Sequence, residues 1–225
     1  MLEIDVISVQ PQMFKGFLTE SIVQRAVKKG ACRVNLVDLR EFGEGRWKKV
    51  DDKPYGGGPG MLMKCKPWFE AVESLGRATR VIMTTPAARK FTQRDAEELA
   101  ALENGHLVFL CGHYEGFDAR VETLATDKFS VGDFVMTGGE LAAASMVDAI
   151  VRLLPGVLGG GKAATSSESF SDMKTLEAPQ YTHPPCFRGM KVPEVLLSGD
   201  HAKIEAWRSA AAAKRTREER PDLAK

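Results

Sequence analysis

No stretch of this 225-residue chain approaches the ~20 consecutive apolar residues that a membrane-spanning helix needs. The opening residues, MLEIDVISV, carry acids where a secretory signal would carry Lys or Arg, so the expected location is cytoplasmic, with no membrane partner. Cysteine is scarce. Cys32, Cys65, Cys111 and Cys186 lie far apart without a CxxC pair, and the four histidines are scattered. This pattern excludes a disulfide framework and the usual spacing of a zinc site; the thiols are expected to be buried and reduced, and no metal ligand is assigned. An excess of one charge is also missing, with 31 Lys and Arg against 30 Asp and Glu, so global basicity announces no nucleic-acid partner. What is present is an ordinary globular composition, 44% hydrophobic and 27% charged, which excludes disorder. The length allows one sizeable core, with or without a small satellite domain.

Charge is distributed less evenly than it sums. The last 25 residues carry seven Lys and Arg against four Asp and Glu, which fits either a polyanion partner or a solvated helix face. Apolar runs suited to buried strands occur at Ile4–Val9, Val34–Val37, Val81–Thr84 and Leu107–Cys111. Between them lie helical patterns at Gln12–Lys29, Pro67–Leu75 and Thr92–Ala101, the last opened by Thr92 and Asp95 in capping-box spacing. Alternating strands and helices predict an α/β layer with a largely parallel sheet. A Gly-rich strand-and-turn region, Ser130–Gly139, feeds a predicted helix, Glu140–Leu154, that stops at Pro155-Gly156. The small, polar residues 159–173 read as a flexible linker between an α/β domain at 1–158 and a small helical domain at 174–225, with its helix at about Ala202–Arg217. The loop Phe42–Gly60 is too long and Gly-rich for a plain connection, and such loops tend to be functional or disordered.

Two generic motifs mislead. Gly156–Lys162 fits the GxxxxGK half of a phosphate loop, but Ala163 stands where the Mg²⁺-binding hydroxyl belongs, and the segment follows a helix and Pro155 rather than a strand. No GxGxxG follows the first strand, so a Rossmann-type site there is unsupported.

Five longer strings are far more specific: VDDKPYGGGPGM (Val50–Met61), CGHYEGFDARV (Cys111–Val121), SVGDFVMTGGELAA (Ser130–Ala143), RLLPGVLG (Arg152–Gly159) and VPEVLLSGDHAKIEAWR (Val192–Arg208). In this order and spacing the chain resembles the TrmD family of bacterial tRNA (guanine-37-N1) methyltransferases. The resemblance runs from the first strand to Pro221–Leu223 and implies a SPOUT methyltransferase domain with a trefoil knot, plus a small C-terminal α-helical domain. Periodicity could not have suggested a knot. It also implies a homodimer with active sites at the subunit interface, S-adenosyl-L-methionine as methyl donor, tRNA as partner and Mg²⁺ for turnover, although no metal cage can be named.

Residue by residue, the resemblance assigns the cofactor to Pro86, Gly112, Tyr114, Glu115 and Val131, Gly132, Asp133, Phe134, Val135 and Met136, with Gly138 and Gly139 near the methionine end. Taken singly, each glycine fits a turn after a strand; together they suit backbone that approaches a ligand closely. Where the family usually has Pro-Gln-Gly, this chain has Pro86-Ala87-Ala88, so any contact there falls to backbone. Guanine N1 needs a base to remove its proton and a cation to hold the charge that spreads to O6. Glu168, in Ser166-Ser167-Glu168-Ser169-Phe170, stands where the family has Asp, and Arg152 matches the charge-stabilising arginine. The residues alone also allow a solvated Glu168 and an Asp148–Arg152 pair at i,i+4. Asp51, Tyr55, Gly58, Pro59 and Gly60 resemble the loop that meets the target guanosine, and Lys214, Arg215, Arg217 and Arg220 would bind stem phosphates. The chain ends soon after Leu223, which leads us to expect a shorter C-terminal domain than many members carry. The competing expectations are a SPOUT enzyme for another base or ribose, and an inactive tRNA-binding homologue.

Overall fold

The computed structural model describes residues 1–161 and 165–223. The chain divides into two compact units, Met1–Gly159 and Gly160–Lys225. Lys162–Ala164, which include the lysine of the phosphate-loop look-alike and part of the expected linker, lie outside the described residues, as do Ala224 and Lys225.

In the first unit the elements in chain order are β1 (Leu2–Ser8), α1 (Lys15–Thr19), α2 (Ser21–Lys28), β2 (Cys32–Asp38), β3 (Asp51–Asp52), β4 (Leu62–Met63), α3 (Cys65–Ser74), β5 (Arg80–Thr84), α4 (Gln93–Ala100), β6 (His106–Cys111), β7 (Asp127–Phe129) and α5 (Glu140–Val151). Five strands form one sheet in the order β2-β1-β6-β5-β7, and every pair in it is parallel. A parallel sheet must be covered on both faces, which is why its inner strands β5 and β6 read as near-continuous apolar runs. Leu2, Ile4, Val6, Leu107 and Phe109 pack on one side with Ala96 and Leu99 of α4 and Met146, Val147 and Ile150 of α5. Ile7, Val9, Val81, Met83, Val108 and Leu110 pack on the other with Trp68 and Ala71 of α3. The mixed α/β architecture with a parallel central sheet is the expected one.

Local chemistry sets the boundaries. Thr92 caps α4 in a reciprocal box with Asp95, as its spacing predicts. Pro67 sits in the first turn of α3, where a missing N–H costs no helical bond. The single helix expected over Gln12–Lys29 is instead a 3₁₀ turn followed by two helices broken between Thr19 and Ser21. The Thr19 hydroxyl turns back onto Lys15 O, and Ser21 takes a left-handed φ of 57°, which no helix propagates. The Ser130–Gly139 stretch holds no strand; β7 ends at Phe129, and Ser130 makes only an isolated bridge to Lys90. Cys32 and Cys111 are buried, whereas Cys65 is half-buried and Cys186 exposed, which corrects the expectation for those two.

The second unit carries β8 (Cys186–Phe187), β9 (Met190–Lys191), α6 (Glu194–Leu197) and α7 (His201–Glu219). Arg188 and Gly189 turn the β8–β9 hairpin, both with positive φ. Asp200 caps α7 through the amide of Lys203. Thr216 of α7 is buried, accepts the Leu176 amide at 2.9 Å and donates to Ala212 O at 2.8 Å, so a polar pin does part of the work of a core. Among this unit's described residues no apolar side chain is fully buried.

Candidate functional site

A cavity of about 410 Å³ opens at the carboxyl ends of β5, β6 and β7. Open parallel sheets bind their ligands there, because the loops that leave the strands supply backbone groups in one place. Its walls are Thr84–Ala87 after β5, Gly112–Phe117 after β6, Phe129–Val131 after β7, and Phe134–Gly139 leading into α5.

The last of these segments is drawn in by direct backbone pairing. Gly139 N donates to Gly112 O at 2.7 Å, and His113 bridges Gly138 in antiparallel fashion. A Cβ on Gly139 would collide with Thr84 Oγ1 and lie 3.1 Å from Cys111 Cα and Gly112 N. Only glycine lets the two loops meet this closely. Beneath them Glu140, 1% exposed, accepts the Ser8 hydroxyl at 2.7 Å, and its other oxygen lies 3.7 Å from His113 Nδ1, a buried atom without a hydrogen-bond partner. A buried carboxylate is costly unless paired. Here the pairing links β1 and both loops at the base of the cavity. Burial, reinforced by the charge of Glu140, pushes the Cys111 thiol well up, so that side chain is packing rather than a nucleophile.

A hairpin forms the rim. β3 and β4 pair antiparallel and carry the loop 53–61 between them. The hairpin is zipped to the segment after β6: Glu115 N donates to Met61 O, Met63 N to Gly116 O and Asp118 N to Met63 O, at 2.9 to 3.0 Å. The hydrogen bond from Arg120 holds the Asp118 carboxyl at about 2, so this corner stays charged. Gly60 (φ +80°) lies against the Glu115 side chain, and Tyr55 stands fully exposed at the loop tip.

Ten of the twelve expected cofactor residues line this cavity: Pro86, Gly112, Tyr114, Glu115, Val131, Phe134, Val135, Met136, Gly138 and Gly139. Gly132 and Asp133 do not. Gly132 O accepts the Ser130 hydroxyl, and Asp133 turns outward to pair with Lys90 at 2.6 Å. Sequence reasoning missed His113, Thr84 and Glu140. The signal for Glu140 was an acid opening an otherwise apolar helix.

A family model described as tRNA (Guanine-1)-methyltransferase TrmD matches residues 2–225. The chain belongs to the TrmD family. A tRNA (guanine-N(1)-)-methyltransferase of Geobacillus kaustophilus is 50% identical over 226 aligned positions, covering 99% of this chain and 91% of the relative. Proteins of the same name from Listeria innocua and Shouchella clausii are 49% and 50% identical, covering all of this chain and 92% of each relative.

Neither expected catalytic residue is among those that line this cavity. Arg152 is half-buried at the C-terminal end of α5, and its amide bonds Asp148 O at 3.1 Å. The twelve residues of α5 separate it from Gly139, about 20 Å at 1.5 Å per residue step. Within one TrmD chain, cavity and arginine therefore sit at opposite ends of one helix. Glu168 belongs to the second unit, half-buried, with its carbonyl accepting Ser171 N, and lines a groove of about 900 Å³ with Tyr181, Trp207 and Arg208. On α7, Lys214 pairs with Glu218, and Arg215 reaches Glu219 and Glu177 O, while Arg217 is exposed. Asp51 anchors the rim hairpin through its pairing with Met63, and Gly58 and Pro59 are exposed in its loop.

Proposed function

We propose that this chain transfers the methyl group of S-adenosyl-L-methionine to N1 of guanosine 37 in tRNA, beside the anticodon. Family membership supports the reaction, as do relatives at about 50% identity named for guanine-N1 methylation of tRNA. The cavity supports the cofactor. It has the size of a small-molecule pocket, and its walls combine apolar surface at Val131, Met136 and Ala142 with the backbone of Gly112, Gly138 and Gly139. When bound, S-adenosylmethionine supplies an electrophilic methyl on a cationic sulfur.

The chain's own residues do the rest. The loops after β5, β6 and β7 hold the donor, and the rim loop with Asp51, Tyr55 and Gly58–Gly60 receives the flipped guanine. Glu168 takes the N1 proton, and Arg152 holds the charge that develops on O6. Because Arg152 stands about 20 Å along α5 from Gly139, the arginine that serves one cavity comes from a second copy of the chain, and the working enzyme is a homodimer. The first unit is, in this reading, a trefoil-knotted SPOUT domain in which Gly138 and Gly139 are drawn against the loop after β6. In this reading residues 159–173 form the interdomain linker, and Lys214, Arg215 and Arg217 of the C-terminal domain meet tRNA phosphates in the cytoplasm. Among the described residues no three His, Cys, Asp or Glu side chains gather into a metal cage.

The deciding experiment uses unmodified tRNA transcripts with guanosine or adenosine at position 37 and a radiolabelled methyl donor. Label should enter only the guanosine transcript. Equal labelling of both would indicate a different target, and binding without any labelling an inactive homologue.

A further inference from the structure

Trp47 is 84% exposed, although indole is among the side chains that normally bury most of their surface. It is held out by construction. Glu44 and Lys49 exchange two backbone hydrogen bonds of 2.9 Å, and Lys48 N closes the turn onto Gly45 O at 3.1 Å. The base of this hairpin is fixed. Val50 is fully buried and accepts the Lys64 amide at 2.8 Å, and the Glu44 carboxylate is neutralised by Lys64 and Lys66. A turn pinned at both ends cannot fold its tip back onto the body. Arg46, Lys48 and Lys49, beside Trp47 in sequence, and Lys53 at the start of the rim loop are exposed, with Lys49 4.0 Å from Asp52, and the Arg46 guanidinium lies 5.6 Å from the ring centre.

We propose that this hairpin is a second RNA contact, in which Trp47 stacks on an unpaired base of the tRNA while the flanking cations take its phosphates. The inference rests on the proposed function, because it places the stacked base near the target nucleotide met by the Asp51–Gly60 loop. Trp47 is four residues from Asp51, at most ~14 Å of chain, so one loop of RNA can meet both. Aromatic stacking is tolerant of base identity, and interleaved cations and aromatics are the general pattern for single-stranded nucleic acid. A second copy of the chain is a poorer occupant. Across a two-fold axis the patch would meet its own four cations, whereas an RNA loop brings opposite charge.

The test uses the full chain, tRNA transcripts and the variants W47A, W47F and K48Q/K49Q. Each stacked base lost to alanine corresponds to ~5- to 160-fold in affinity. W47A should therefore weaken tRNA binding within that range, W47F should retain most of it, and S-adenosylmethionine affinity should stay within about twofold because Trp47 lies outside the cofactor cavity. K48Q/K49Q should flatten the slope of log Kd against log salt by up to about two, and W47A should leave that slope unchanged. If W47A binds tRNA as the wild type does, the inference fails while the proposed function stands. If W47A instead alters the sedimentation mass, Trp47 belongs to a protein interface and the inference fails. A wild type that binds no tRNA overturns the underlying reading as well.

Discussion

Replacing Gly139 by alanine adds one methyl group at the tightest point of the cavity at the carboxyl ends of β5, β6 and β7. The new Cβ would collide with Thr84 Oγ1 and crowd the backbone of Cys111 and Gly112. Thr84 has little freedom to yield, since it is 4% exposed and its hydroxyl donates to Leu110 O at 3.0 Å. Two responses remain. Either Thr84 gives up that bond, at ~0.5–1.5 kcal/mol, or the 138–139 segment withdraws and loses its 2.7 Å bond to Gly112 O at a similar cost. Overpacking adds ~1–3 kcal/mol. The sum is about 2–4 kcal/mol, which for a chain of this size is roughly 5–15 °C in Tm. The second response also opens the floor of the cavity, so S-adenosylmethionine affinity should fall by at least ~30-fold, the equivalent of about 2 kcal/mol. Differential scanning fluorimetry and calorimetric titration read the two effects. Thr84→Ala removes the colliding atom, and the double variant T84A/G139A should regain part of the lost affinity, a coupling that additive defects would not produce. G139A binding the cofactor within twofold of wild type would refute the close-approach argument.

Glu168→Gln should abolish turnover while leaving S-adenosylmethionine binding by calorimetry nearly unchanged, and Arg152→Ala should lower the methylation rate far more than cofactor affinity; an unaffected rate would return Arg152 to a plain salt-bridge role. If the two residues serve one site from different subunits, mixing E168Q with R152A protomers should restore about a quarter of wild-type activity, from statistical heterodimers with one intact site each. No restoration would assign both residues to one chain. Burial pushes the Asp95 carboxyl up, but hydrogen bonds from Arg89 and Thr92 outweigh it and hold it at about 2 instead of 3.8. The carboxylate therefore contributes ~2 kcal/mol of stability that is full above pH 3.8 and lost as pH falls through about 2. Asp95→Asn should flatten the urea-unfolding profile across that window, and an unchanged profile would contradict the assignment.

How much of this could be read from the residues depends on what each signal encodes. β5 and β6 were legible because strands buried on both faces leave near-continuous apolar runs, and β1 and the edge strand β2 because apolar residues recur through them between polar ones. β7, Asp127-Lys128-Phe129, is three residues long and mostly polar, so nothing marked it. The break at Thr19–Ser21 was hidden because the amphipathic period continues across it. The cavity glycines were legible only as a set through family resemblance, since one glycine signals a turn as readily as a ligand. Asp133 shows the limit of motif letters: it lies inside a matching string yet turns to Lys90, away from the cavity. Glu140 was overlooked because an acid in the first turn of a helix is ordinary; its burial and its pairing with Ser8, 132 residues away in sequence, exist only in the fold.

Nucleoside mass spectrometry of tRNA after single-turnover reaction, with wild type and Glu168→Gln side by side, tests the central claim most directly. The account predicts 1-methylguanosine from position 37 with the wild type and none with E168Q. A methyl group on another guanine atom or on ribose, or equal yields of 1-methylguanosine from both proteins, would contradict it.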